Sequence, residues 1–183
     1  SFPTFSEILS YNAKQSSAKT FLIEGDNRWT YLEFDNLVNR CCRYFTDVGL
    51  KPDNTVSFIL RNSIDYLIIY FAAIRSRIIL NPFPHHMSGD EVLQKLKDIH
   101  PEFVFCHNNH YKTLSESNYR IINIDNINDD SFPVYLQNFA PGPLEALPIA
   151  ENDVSVYYSS SGTIGGPKII EYTHSSMVLT QAS

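Results

Sequence analysis

The chain has 183 residues, 43% hydrophobic and 19% charged, the balance of a folded domain with its own core rather than of a disordered segment. Its 20 acidic and 14 basic side chains give a formal charge of −6, which argues against a nucleic-acid surface, so no nucleic acid is expected as a partner. The longest apolar run, Tyr66 to Ile74, falls short of the roughly 18 residues a membrane span needs and reads as a buried helix.

No element is assigned before Trp29. From Tyr31 to Val48, the residues Phe34, Leu37, Val38, Cys41, Phe45 and Val48 recur at helical spacing and form one apolar stripe. Thr30 and Glu33 make a capping box at its start and Gly49 a stop at its end. Lys51-Pro52-Asp53-Asn54 is turn chemistry, and Thr55 to Leu60 reads as a strand. Ser63 caps a second helix from Ile64 to Ser76, apolar nearly all round. A short strand, Ile78 to Leu80, ends at Asn81-Pro82-Phe83-Pro84. Ser88 and Glu91 form a second capping box, for a helix that carries Val92, Leu93, Leu96 and Ile99 and stops at Pro101.

Strands are expected at Glu102 to Cys106 and Arg120 to Ile124, followed by a long surface connection, Asp125 to Pro148, rich in Asn, Asp and Pro. Asp153 to Tyr158 and Ile169 to Tyr172 are strands on either side of a Gly-rich loop, and no internal repeat is present. Strands alternating with helices of about 10 to 18 residues predict an α/β layered fold, a largely parallel sheet flanked by helices. In such sheets ligands gather at the carboxyl ends of the strands, where the loop after Tyr158 stands.

Cys41, Cys42 and Cys106 are odd in number and without framework spacing, which predicts a reducing, cytoplasmic setting. No secretory signal is visible, but the chain begins at Ser1 without a Met, which leaves a removed targeting segment open. Ser175 to Ser183 reads as the first turns of a helix with no cap to close it, so the chain is expected to be interrupted there.

The segment Ser159-Ser160-Ser161-Gly162-Thr163-Ile164-Gly165-Gly166-Pro167-Lys168 joins hydroxyls, glycines and one lysine between two strands. Polyphosphate binding draws on this mixture: glycines let backbone N–H groups approach the oxygens, hydroxyls donate further bonds, and a lysine adds charge. It is neither a Walker A loop, since Pro167 precedes the lysine and Ile169 follows it, nor a GxGxxG turn. On composition alone a long hairpin turn remains equally open, because Gly-Gly-Pro suits a turn in any protein.

The order of residues resembles the phosphate-binding signature of the adenylate-forming superfamily, Tyr-Thr-Ser-Gly-Thr-Thr-Gly-x-Pro-Lys-Gly-Val followed by Thr-His. Ser160, Ser161, Gly162, Thr163, Gly165, Pro167, Lys168 and Thr173-His174 match it. Upstream, Thr30-Tyr31-Leu32-Glu33-Phe34, Gly49 to Val56, Asn81-Pro82, the helix from Glu91 to Asp98, and Glu151-Asn152-Asp153-Val154 follow the family's course in order, so the resemblance covers about Trp29 to the C-terminus.

The resemblance implies that residues 1–183 are the N-terminal part of an acyl-CoA-synthetase-like large domain. It implies an acyl or aryl carboxylic acid, ATP and Mg²⁺, with coenzyme A or a carrier pantetheine, on an acyl carrier partner, as the thiol acceptor. Phosphate binding falls to Ser160, Ser161, Gly162, Thr163, Gly165 and Lys168, while no catalytic residue and no metal ligand falls within the chain. The family's adenine-binding segment, acidic Mg²⁺ residue, acyl pocket and C-terminal lysine domain are expected beyond Ser183, so the chain alone is expected to be inactive.

The chain departs from the pattern at Ile164, which replaces a Thr hydroxyl, at Ile169, which replaces a Gly, and around Arg77, where the family carries Gly before the Pro-containing strand. The last change and Asn81-Pro82-Phe83 favour an acyl-CoA ligase over a peptide-synthetase adenylation domain. The first two motivate a different class, a non-catalytic relative serving as scaffold or interaction domain. A dinucleotide-binding domain would fit the α/β order but lacks its fingerprint loop.

Cys106-His107-x-x-His110 lacks the second pair a structural metal site needs and is read as a strand end with a polar turn. His85-His86 reads as surface, Cys41 as inert core, and Asp129-Asp130 as part of a polar connection without acid–base chemistry. His174 is expected either to line the loop's flank or to touch nucleotide.

Overall fold

The computed structural model of the chain describes residues 3–159 and 169–181. Three elements precede the first predicted helix. Helix α1, Phe5–Gln15, starts at a capping box of Thr4 and Glu7 and buries Leu9 and Ala13. Strands β1, Thr20–Glu24, and β2, Asn27–Thr30, form an antiparallel hairpin whose two-residue turn places Gly25 at φ 58°.

Helix α2, Tyr31–Asp47, begins at the predicted Thr30–Glu33 capping box and is followed by Gly49 at φ 91°, a conformation that a side chain would strain. Strand β3, Thr55–Ile59, leads into the Ser63-capped helix α3, Ile64–Arg75. Strand β4, Ile79–Phe83, runs on through Asn81-Pro82-Phe83, where the sequence suggested an end. Pro82 is tolerated there because the pairing of β4 with its later neighbour is confined to Leu80 and Val156. Helix α4, Gly89–Ile99, has the predicted Ser88–Glu91 box and ends at His100 in the left-handed region, φ 50°.

Strand β5, Phe103–Cys106, is followed not by a polar turn but by helix α5, Asn108–Ser115, with His107 at its N-cap. Strand β6 is Ile121–Asn123. The supposed surface connection after it also departs from expectation. It holds the short helix α6, Phe132–Tyr135, and a 3₁₀ turn, Leu136–Asn138, and Phe132 and Leu136 are fully buried. Phe132, Tyr135 and Phe139 ring the buried Tyr44 of α2 with centroids 5.7–5.9 Å away, so aromatic burial outweighs the polar composition around them. Beyond it, Arg43 donates to the carbonyls of Ala140 and Gly142 at 2.9 and 2.8 Å, and Asn39 to that of Pro141 at 3.1 Å.

Strands β7, Val154–Ser159, and β8, Ile169–Thr173, complete a six-stranded sheet of order β6-β5-β3-β4-β7-β8, and helix α7, His174–Gln181, follows. All neighbouring pairs are parallel except β7 and β8. Alternation along the strands sends Val56, Phe58, Phe103 and Phe105 to one face, where α2 and α3 cover them, and Ile59, Val104 and Cys106 to the other, where Val92, Leu96 and Leu114 of α4 and α5 cover them. The predicted α/β layered fold with a largely parallel sheet is therefore the observed one. Among the described residues no helix is long and apolar enough to cross a membrane.

Candidate functional site

Strand β3 ends at Ile59, β4 at Phe83 and β7 at Ser159, and being parallel they deliver their following loops to one end of the sheet. A cavity of about 570 Å³ opens there, bounded by Leu60 and Asn62 after β3, by Pro84 to Met87 after β4, and by Tyr158 near the end of β7. Tyr66 of α3 and Lys95 of α4 complete its wall. The described lining contains His85, His86 and Lys95 and no carboxylate. Such a wall suits an anionic ligand and offers a divalent cation no hard oxygen anion. Among the described residues no group of three or more His, Cys, Asp or Glu could hold a metal ion, so Mg²⁺ would have to be held by phosphate oxygens or by other residues.

Ser159 and Ile169 face each other across the antiparallel β7–β8 pair, so the segment joining them begins and ends at this same end of the sheet. The predicted phosphate-binding residues Ser160, Ser161, Gly162, Thr163, Gly165 and Lys168 lie outside the described residues. Their flanks are described. Tyr158 stacks edge-on to Tyr172 at 5.3 Å between centroids, and Ile169 and Ile170 are exposed.

Thr173 and His174 stand elsewhere. Thr173 pairs with Val154 at the opposite end of β7, and its hydroxyl accepts the N–H of Ser176 at 3.3 Å as a cap for α7. His174 is buried, and its N–H donates to the Asp153 carbonyl at 3.1 Å. Burial, with Arg77 adding to it, holds the imidazole below its ordinary value against the opposing pull of Asp153 and Glu7. A five-residue strand, about 17 Å long, separates it from Ile169, where that segment ends, so His174 does not stand at the segment's flank.

His85 and His86 are exposed, as read from sequence, but they also line the cavity. Lys95, Tyr66 and Asn62 were missed by sequence reasoning, although Asn62-Ser63 directly after a strand marked that position. Cys41, Cys42 and Cys106 are buried free thiols, and burial pushes Cys42 up to about 11 and Cys106 up to about 12, so none is a nucleophile.

Next to the cavity lies a polar cluster that the sequence did not reveal. His107 Nδ1 is 2.8 Å from Asp125 Oδ1, and Asp125 Oδ2 accepts the N–H of Asn108 at 2.8 Å. Partial burial alone would raise the Asp125 carboxyl, but Asn108, His107 and Arg61 outweigh it and hold it below the usual value. Asp65, in the first turn of α3, goes the other way: burial pushes it up to about 6 against an opposing pull from His107, Glu24 and Asp125 add to the rise, and its Oδ1 has no hydrogen-bond partner among the described residues.

Known proteins share this architecture. The anthranilate CoA ligase AuaEII, solved with anthranoyl-AMP, superimposes with a TM-score of 0.86 at 21% identity, over 99% of this chain and 36% of that one. In sequence the chain is 24% identical over 171 residues to the 4-hydroxybenzoate-CoA/benzoate-CoA ligase of Rhodopseudomonas palustris, covering 90% of this chain and 32% of the ligase. It is 21% identical to the phosphinothricin tripeptide synthetase PhsC of Streptomyces viridochromogenes, over 93% of this chain and 15% of the synthetase. The chain thus spans a third or less of the length of these curated relatives. The family model of the AMP-binding enzymes matches residues 9–183, and the chain belongs to that family.

Proposed function

We propose that this chain supplies the phosphate-gripping part of an ATP-dependent ligase that activates a carboxylic acid as an acyl-adenylate and passes the acyl group to a thiol. The observation that carries this reading is that the Ser159–Ile169 pair, from which the connection springs, stands at the carboxyl end of β7, where the described lining of a cavity after β3 and β4 is basic and holds no carboxylate. Backbone N–H groups around Gly162 to Gly165, the hydroxyls of Ser160, Ser161 and Thr163, and the ammonium of Lys168 would hold the β- and γ-phosphates. A carboxylate oxygen then bonds to the α-phosphorus, the bond to the β-phosphate oxygen breaks, and pyrophosphate leaves with the charge that the loop stabilises. A thiolate next attacks the acyl carbon and AMP departs. Mg²⁺, when bound with the nucleotide, shields phosphate charge during attack.

The kinship with both CoA ligases and a peptide synthetase supports either coenzyme A or a carrier-bound pantetheine as acceptor, and an acyl or aryl acid as substrate. The buried free cysteines fit a cytoplasmic protein. In this reading the 183-residue chain binds nucleotide phosphates but does not complete adenylation by itself.

The test is carboxylate-dependent exchange of labelled pyrophosphate into ATP by a protein that continues past Ser183, screened over aliphatic and aromatic acids. Exchange that falls in Lys168→Ala supports the ligase. No exchange with any acid favours the second reading, a non-catalytic relative, which the loss of a hydroxyl at Ile164 motivates.

A further inference from the structure

His107 and His110 reach from the start of α5 to two different loops at the cavity mouth. His107 Nδ1 faces the Asp125 carboxylate, which only accepts, so the ring proton sits on Nδ1. Nε2 is then free to accept, and the N–H of Arg61 donates to it at 3.3 Å. In His110 the roles are reversed. Nε2 lies 2.9 Å from the Met87 carbonyl, which also only accepts, so the proton sits on Nε2, and the buried Nδ1 has no hydrogen-bond partner among the described residues. The hydrogen-bond geometry sets the two rings in opposite tautomers, and both residues are buried, 5% and 7% exposed, which makes each a fixed strut rather than a mobile surface group.

The two loops need such struts. The ladder between β3 and β4 stops at Ile59 and Phe83, so Arg61 and Met87 have left the sheet. Arg61 stands between Leu60 and Asn62, both of which line the cavity, and Met87 lines it directly. Helix α5 is fastened to β5 through His107 at its N-cap and to the segment after β6 through Asp125. Its two histidines therefore tie both loops to one body.

We propose that His107 and His110 are positioning residues that fix the loops after β3 and β4 and so set the shape of the cavity offered to the anionic ligand. The proposal rests on the reading of this cavity as part of the ligand site. It differs from a plain capping or space-filling role because it requires an acceptor at Nε2 of His107 and a donor at Nε2 of His110.

Nuclear magnetic resonance on the isotopically labelled 183-residue chain tests it. The ring nitrogens of the unmodified protein show Nδ1–H on His107 and Nε2–H on His110, and the opposite tautomer or an imidazolium at neutral pH in either would overturn the proposal. His107→Gln keeps an acceptor where Nε2 stood, whereas His107→Asn keeps only a group facing Asp125. Exchange of the Arg61 N–H quickens about tenfold in His107→Asn and stays near the unmodified rate in His107→Gln. The Met87 carbonyl resonance moves in His110→Leu and returns in His110→Gln. The dissociation constant for Mg·ATP, read from the Tyr158 amide, rises about fivefold in His107→Asn and His110→Leu and recovers in the Gln variants.

Equal behaviour of the Asn and Gln variants, or unchanged Mg·ATP binding in all four, would reduce the pair to capping and overturn the proposal. A chain that binds no Mg·ATP in any form would overturn the reading of the cavity instead, and the tautomers, the exchange at Arg61 and the Met87 carbonyl would then decide the loop-holding role.

Discussion

Asp53 and Arg77 stand just before the neighbouring parallel strands β3 and β4, and both have left-handed backbones, at φ 67° and 54°. They are joined twice: the Asp53 N–H donates to the Arg77 carbonyl at 2.7 Å, and the Arg77 guanidinium holds the Asp53 carboxylate at 2.5 Å. That pair of contacts explains how an arginine occupies the place where the adenylate-forming pattern carries a glycine. The conformation suits glycine, and the side chain holds an arginine in it. Arg77→Gly should leave the melting temperature nearly unchanged, since relief of strain offsets a lost exposed pair. Arg77→Val, which keeps the strain and loses the pair, should lower it by about 5 °C, as thermal denaturation followed by circular dichroism would show.

Asp65 makes stability depend on pH in an unusual direction. Its folded carboxyl titrates at about 6 against an ordinary 3.8, so the native state binds the proton more tightly than the unfolded chain. The stability from this group is complete below the unfolded value and is lost as pH rises through 6, which amounts to about 3 kcal/mol at neutral pH. Asp65→Asn should therefore be more stable than the parent by about 2 kcal/mol at neutral pH, with no advantage at acid pH, as urea titrations at the two conditions would reveal.

Asn81 carries a polar bridge through the middle of the sheet. Fully buried, it accepts from the Ser57 hydroxyl at 2.7 Å and donates to the Tyr157 carbonyl at 2.9 Å. This links β3, β4 and β7 where β4 and β7 share only one register pair. Asn81→Leu leaves the Tyr157 carbonyl short of a donor and Ser57 without its acceptor, and should cost about 2–4 kcal/mol in equilibrium denaturation. Ser57→Ala removes one bond only and should cost less.

Gly89 reverses the usual expectation for a glycine near the start of a helix. Alanine there would normally stabilise, but its Cβ would lie 2.8 Å from both Cβ and Cγ2 of Thr113 on α5. Gly89→Ala should destabilise by about 1–3 kcal/mol, and Gly89→Ala with Thr113→Ser should recover part of that loss. A double-mutant cycle measured by chemical denaturation separates the contact from the helix propensity.

The periodic and capped parts of the fold were legible because their signals are local. The stripe of α2, the boxes at Thr30–Glu33 and Ser88–Glu91 and the Ser63 cap need no tertiary information, and the alternation of elements predicts the parallel sheet. The hairpin of β1 and β2 also had a local signal, the turn residues Gly25-Asp26 directly after the apolar run Phe21-Leu22-Ile23, that the sequence reading missed.

Other features had no local signal. Phe132 and Leu136 sit among Asn, Asp and Pro, and their burial comes from packing against the core around Tyr44 of α2, far away in the sequence. His107 and His110 looked like a polar turn because their partners, Asp125, Arg61 and Met87, lie 18 to 46 residues away. The converse misplaced His174, which follows the loop closely in sequence but only after the chain has run along the sheet to its other end.

Titration of the chain with Mg·ATP, with and without Lys168→Ala, probes the grip on nucleotide phosphate most directly. Binding that perturbs the amides of Tyr158, Ile169 and the residues between them, and that weakens about tenfold or more in the variant, is the expected result. Nucleotide binding that leaves those amides unmoved and is indifferent to Lys168 would contradict it.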